Sequence, residues 1–315
     1  MAFLPSLFRK NSKISALKGM VQMNEKTLAA KTKTFLMFAG PAVFVFIAVL
    51  IVPLVYGVYL TFTSWDGISN NKPFVGLNNY IEVFKDKEFW NSLVLTLKYV
   101  AVSVVFINLI AFILAFLVTS GIKGQNFLRA GFFTPNLIGG VVLGFIWRFV
   151  FARALVSFGT AFDIDIFSTS WLSDPQKAFW AMIIVTTWQY SGYMMLIYIA
   201  GLMGVPKDLT EAASIDGATG FQATRHVVLP MMVPSFVICL FLSITRCFMV
   251  YDLNLSLTEG GPFAATRMVA MHVYKKAFEA KQYGTGQAEA LILFIIVAII
   301  GITQITLGKR KEVEA

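Results

Sequence analysis

The sequence predicts an all-α polytopic membrane protein with six transmembrane helices. Three observations predict it. Hydrophobic residues make up 57% of the 315 and charged residues only 14%, whereas soluble domains carry about 25% charged residues. Apolar stretches close to the roughly 20 residues that a helix needs to cross a bilayer recur along the chain. Basic residues collect at the ends of these stretches, as membrane topology signals do.

The first apolar run extends from about Phe35 to Leu60. That is too long for the core of a cleavable signal peptide, so it reads as a retained first span. The next two spans are expected near Leu93 to Val118 and Phe132 to Phe151. Within the third, Pro135 and Asn136 suit either a bend, because proline removes a helix hydrogen bond, or the entry of a helix, and Gly140 with Gly144 suits internal helix packing or dimerisation. The fourth, Phe179 to Met203, carries the run Thr186 to Tyr193. Aromatic rings beside hydroxyl and amide groups suit a sugar, whose C–H face stacks while its hydroxyls take hydrogen bonds. The fifth and sixth spans are expected at Met232 to Val250 and Ala288 to Leu307.

Ionisable groups inside spans are costly, about 2.5–3.5 kcal/mol each on insertion scales. Lys98, Arg148 and Glu289 fall within two turns of the expected outer surface, close enough to snorkel. Arg246 lies deeper, among Ser243, Thr245 and Cys247, and is expected to face a polar cavity or a partner within the bundle.

Between the fourth and fifth spans, Val205 to Ser214 reads as a short helix, with Pro206 in its first turn and Asp208 and Glu211 toward its positive end. Gly217 then fits a helix terminator. Such a helix suits docking into a groove on another protein, and a solvated loop is the plainer alternative.

An even number of spans places both termini on one side, and the lysine-rich N-terminus makes that side the cytoplasm. Residues 1–33 then form a basic cytoplasmic segment, 34–308 the membrane domain with 205–230 as its cytoplasmic loop, and 309–315 a cytoplasmic tail. The net charge of +9 is a topology signal on this pattern, and no nucleic-acid partner is expected. No phosphate-binding G-x-x-x-x-G-K-[ST] loop is present, nor a nucleophile with a nearby His base. The chain is therefore expected to be no enzyme. Cys239 and Cys247 lie eight positions apart in one span, too far for a bond, and with two His in the chain no metal site is expected.

Glu211-Ala212-Ala213, Asp216-Gly217-Ala218 and Leu229-Pro230 resemble the EAA loop of permease subunits in binding-protein-dependent ABC importers. Phe74 to Tyr80, Tyr193 to Met195 and Tyr251 to Pro262 are similar to the larger permease subunit of maltose and multiple-sugar importers, in its shorter six-span form. The resemblance runs from the first span to the last. It implies the type I ABC importer permease fold in a bacterial cytoplasmic membrane. It also implies three partners: a second, related permease in a heterodimer, a pair of ATPase subunits carrying the ATP and Mg, and an extracellular or periplasmic solute-binding protein. Glu211, Ala212, Ala213, Asp216 and Gly217 would then couple to the ATPase. Alignment through the loop places Tyr190, Tyr193, Ser243, Arg246, Cys247 and Val250 at sugar-contact positions. Tyr193 and Ser243 match the maltose pattern in residue type and the other four depart from it. The expected substrate is an oligosaccharide. The rivals are sn-glycerol-3-phosphate, which would call for more than one basic group, an acidic sugar, and a proton-coupled carrier using Glu289.

Overall fold

A computed structural model describes residues 28–310. Arg9, Lys10, Lys13, Lys18 and Lys26 of the basic segment, and the tail from residue 311, lie outside the described residues. The chain divides into two compact units at Leu60 and Thr61.

In the first unit, α1 (Leu28–Phe38) is followed by α2 (Gly40–Leu60), long and apolar enough to span a membrane. Residues Ile47–Ile51 of α2 form a π turn just before Pro53. Proline cannot donate to the carbonyl four residues back, and a wider turn absorbs the lost bond. The same pairing recurs in the second unit, where the π turn Thr224–Val228 precedes Pro230.

In the second unit, α3 (Asn78–Lys85) leads to α4 (Lys87–Thr119), 33 residues, or about 50 Å at 1.5 Å per residue. Asp86 caps α4, its Oδ1 accepting the amides of Glu88 (2.8 Å) and Phe89 (3.2 Å). Burial pushes this carboxyl up, but the Lys276 ammonium and the two amides outweigh it and hold the pKa below the usual aspartate value.

The buried positions of α4 recur at spacings of three and four, through Thr96, Tyr99, Ser103, Ile107, Ala111, Ala115 and Val118. That stripe packs against α7 (Pro175–Gly204), and the alanines allow the close approach that favours helix pairs in lipid. Tyr99 and Thr186 share a hydrogen bond across this seam. The Tyr198 hydroxyl donates to Asn108 Oδ1 (2.7 Å), and Asn108 Nδ2 donates to Ser243 Oγ (2.9 Å). Those bonds tie α4 and α7 to the later helix α10 (Val233–Phe248) with polar groups that lipid cannot satisfy.

The expected third span is two elements. Phe132 and Phe133 end a separate helix, α5 (Gln125–Phe133), and Pro135 and Asn136 sit in a 3₁₀ turn, Thr134–Leu137. Gly139 is extended, and α6 (Gly140–Ala161) starts afresh. The proline breaks the ladder, and the break is a full interruption rather than a bend. Gly140 and Gly144 serve internal packing against α11 (Asp252–Leu257): a Cβ on Gly144 would stand 2.8 Å from Ser256 Cβ. Asn254 of α11 braces the loop before α12 (Val269–Tyr274): its Nδ2 donates to Thr266 O and Thr258 Oγ1 while its Oδ1 accepts from Met268 N.

The segment between α7 and the fifth span is more helical than expected. Helix α8 (Lys207–Ile215) is followed by α9 (Gly220–Met231), which Thr219 and Gln222 open with a capping box. Pro206 is the residue before the first turn of α8, not a member of it, with extended ψ of 130°. Helix α10 (Val233–Phe248) meets α9 at a 63° bend around Met232. Met249 and Val250, placed in the fifth span from the sequence, lie beyond the end of that helix.

Among the described residues four helices, α2, α4, α6 and α13 (Tyr283–Lys309), are long and apolar enough to cross a membrane, and the bent pair α9–α10 makes five. Helix α7 has the length, 30 residues, but its polar run lowers its apolarity. Glu289 differs most from expectation. It is fully buried in α13 rather than snorkelling. Lys98 is exposed, and Arg148 pairs with Glu259 at 2.5 Å while remaining 43% exposed.

Gly192 marks a close approach of α7 to the backbone of α5, since a Cβ there would stand 1.8 Å from Phe132 O. Gly192→Ala is expected to cost about 1–3 kcal/mol through overpacking. The check is a lowered unfolding midpoint in detergent; an unchanged midpoint would contradict this packing.

Candidate functional site

The broken third span creates the site. With α5 stopped at Phe133, Asn136 is held in the short turn, and Gln189 Nε2 of α7 donates to the carbonyl of Ile138 at 3.1 Å. That bond satisfies one of the backbone groups the break exposes. Asn136 Oδ1 then accepts from Arg246 Nη1 of α10 at 2.8 Å.

The guanidinium of Arg246 lies 4.7 Å from the ring centroid of Tyr193 and 5.0 Å from that of Tyr190. Both are cation–π distances. The tyrosines are three residues apart in α7, so one helix face carries both. Arg246, Tyr190 and Tyr193 are each half-buried. Among the described residues no carboxylate stands within ion-pairing distance of Arg246. A guanidinium has five donors, and one is committed to Asn136. The others, with the two phenols, can serve the hydroxyls of a neutral ligand or the oxygens of an anion.

Three of the six candidate sugar contacts therefore meet, and three do not. Ser243 is buried in the Asn108–Tyr198 network, and its hydroxyl donates back to Cys239 O at 2.7 Å. Cys247 and Val250 are buried in the apolar core, and both cysteines are free thiols. The run Thr186 to Tyr193 is likewise divided by the 100° rotation per helical residue. Thr186 faces α4, and Tyr190 and Tyr193 face Arg246. Thr187, Trp188 and Ser191 line a separate apolar pocket of about 450 Å³ with Phe106, Ile110 and Phe132. Asn136 is the participant that sequence reasoning missed as a ligand group. Its one signal is its place beside Pro135 in an otherwise apolar span.

The second candidate region is the segment 205–230. Helix α8 ends in a Schellman motif: Ala218 N donates to Ala213 O (2.9 Å) and Gly217 N to Ser214 O (3.1 Å), with Gly217 at φ +81°. Only glycine takes that conformation without strain, which accounts for Gly217 after Asp216. Glu211, Ala212, Asp216 and Gly217 are exposed and Ala213 is half-buried. Leu209, Ile215 and Phe221 are exposed too, Ile215 at 87% and Phe221 at 74%. Large apolar side chains therefore stand exposed beside an acidic one on two short, pre-formed helices, α8 and α9.

A bundle of long apolar helices, with a cationic and aromatic cluster between two of them and an apolar-tipped helix between two spans, defines a membrane permease subunit. The chain belongs to the family of binding-protein-dependent transport system inner membrane components, whose model matches residues 107–311. It is 42% identical to the probable starch degradation products transport system permease protein AmyD of Thermoanaerobacterium thermosulfurigenes, over 88% of this chain and 94% of that one. It is 35% identical to the multiple sugar-binding transport system permease protein MsmF of Streptococcus mutans, over 83% and 90%. A crystal structure of a bacterial alginate ABC transporter, in complex with an alginate pentasaccharide-bound periplasmic protein, shares the fold. Its TM-score is 0.75 at 18% identity, over 89% of this chain and 96% of that one. The fold is that of type I ABC importer permeases, and the chain is a transporter subunit rather than an enzyme.

Proposed function

We propose that this chain is one half of the translocation pathway of an ATP-driven importer for oligosaccharides. The observation that carries the substrate class is the Arg246–Tyr190–Tyr193–Asn136 cluster, donor-rich and aromatic, with no carboxylate paired to Arg246 among the described residues. The names of the starch-product and multiple-sugar relatives support a carbohydrate. A single basic side chain in the cluster favours a neutral sugar over a phosphate ester.

The residues 34–308 form the membrane domain, with both termini in the cytoplasm of a bacterial cell. The segment 205–230 docks on a partner ATPase, which binds the ATP and Mg. Glu211 and Gly217 stand at the characteristic positions of that coupling segment. A related permease completes the pathway, and a solute-binding protein delivers the sugar from outside. Ser243, Cys247 and Val250, buried in this conformation, reach the sugar only if α10 turns during the transport cycle.

The substrate class is tested by uptake of a labelled malto-oligosaccharide into proteoliposomes holding the whole importer. Excess unlabelled neutral oligosaccharide is expected to compete and sn-glycerol-3-phosphate is not. Competition by the phosphate ester alone would overturn the sugar assignment.

A further inference from the structure

We propose that Asp86, His272 and Glu289 form a divalent-cation site suited to Zn²⁺, at the junction of α4, α12 and α13. Linear spacing conceals it, since the three residues are spread over some 200 positions, and the sequence alone leads to the opposite expectation. The fold brings one ligand atom from each to within 4.8 Å of the others. His272 Nε2 lies 3.4 Å from Glu289 Oε1 and 3.8 Å from Asp86 Oδ2. A tetrahedral zinc with bonds near 2.0–2.2 Å holds its ligand atoms about 3.3–3.6 Å apart, so small side-chain movements complete the geometry.

The second observation is unmet demand. Glu289 is 0% exposed, yet both of its carboxylate oxygens lack a hydrogen-bond partner, and so does His272 Nε2. The His272–Glu289 approach is close without the alignment of a hydrogen bond. Buried polar groups are nearly always satisfied, and stripping a carboxylate of water without a partner is costly. A metal ion answers all three orphaned atoms at once. Asp86 is ready for the role because its other oxygen is already fixed by two backbone amides, the outer support that metal carboxylates use.

Lys276 Nζ stands 2.7 Å from Asp86 Oδ2 and occupies the cation's neighbourhood. Its side chain is 25% exposed, so it can swing to solvent when a metal enters. Glu82, bonded to Thr285 at 3.1 Å, is the nearby acid on α3. One imidazole with two carboxylates favours zinc over calcium or magnesium, which take six or more oxygens. Bound metal would staple the start of α4 to α12 and α13.

The test is calorimetric titration of ZnCl₂ into the full chain in its purified membrane complex, after treatment with chelator. The wild type is expected to bind one equivalent. His272→Ala and Glu289→Gln are expected to lose it or weaken it at least tenfold. His226→Ala, which removes the other histidine, is expected to leave it unchanged. Lys276→Met, which keeps all three ligands, is expected to bind more tightly and to gain thermal stability on Zn²⁺ addition. A wild type with no stoichiometric Zn²⁺, or the same affinity after loss of His272 and Glu289, would overturn the site. The four side chains would then be an internal ion-pair network only. Should the ligand variants fail to accumulate, unchanged or absent binding in Lys276→Met decides against the metal.

Discussion

Glu211→Lys is expected to abolish ATP-driven uptake while the variant still reaches the membrane. Glu211 and Ile215 lie one helical turn apart on α8, so a charge and an exposed apolar side chain point the same way. On the proposed coupling role, reversing the charge puts a lysine where an acid is expected to meet the ATPase. Losing a desolvated charge pair at an interface costs about 2–5 kcal/mol, roughly thirtyfold or more in affinity. The readout is co-purification of the ATPase together with uptake. Normal association and uptake in Glu211→Lys would remove this helix from the coupling path. Gly217→Val tests the same element through the backbone, because a β-branched residue at φ +81° is strained whatever surrounds it. It is expected to loosen the end of α8 and reduce ATPase association without touching the partner directly.

The second large effect is expected at Arg246. Arg246→Ala removes the bond to Asn136 and the cation from both tyrosine rings. Hydrogen bonds to charged groups contribute about 1.5–3 kcal/mol, so transport should fall on the order of tenfold to a hundredfold. Arg246→Lys keeps the charge but not the planar fork, and is expected to recover only part of the activity. If the guanidinium has only a structural role, Asn136→Ala and Arg246→Ala would lower stability and leave the apparent KM for sugar unchanged. The proposed role requires the apparent KM to change in a complex that still assembles. Initial uptake rates across a range of sugar concentrations separate the two.

Much of the architecture was legible from the sequence, because an apolar run of about 20 residues has few other readings. The second, fourth and sixth expected spans lie inside single helices that begin three or more residues before them. Polar cap residues such as Asp86 and Asp174 set those starts. What linear reading missed were breaks and convergences. Pro135 marked a disturbance but could not say that Gly139 would complete it into a full stop. The polar run in α7 looked like one recognition surface, whereas helical rotation sends Trp188 to an apolar pocket and Tyr190 to Arg246. Glu289 was judged by its distance from the span end, but its burial is decided by residues almost 200 positions earlier.

The backbone of the segment 205–230 was the most legible part, since its helix and its glycine terminator have local reasons. Gly217 is needed by the backbone, and the Glu211 side chain is exposed with no hydrogen bond or ion pair among the described residues. The cluster around Arg246 was half legible. The charge stood out by its cost in an apolar span and the resemblance placed the two tyrosines with it, while its hydrogen-bond partner Asn136 comes from an element that the sequence read as part of a continuous helix.

The central claim is that this subunit moves sugar only when a separate ATPase works through the segment 205–230. The most direct measurement is accumulation of labelled oligosaccharide in proteoliposomes holding both permeases and the binding protein, with and without the ATPase and internal ATP. Accumulation that requires both, and that Glu211→Lys removes, is the predicted result. Accumulation that persists without the ATPase, or that follows an imposed proton gradient instead, would contradict it.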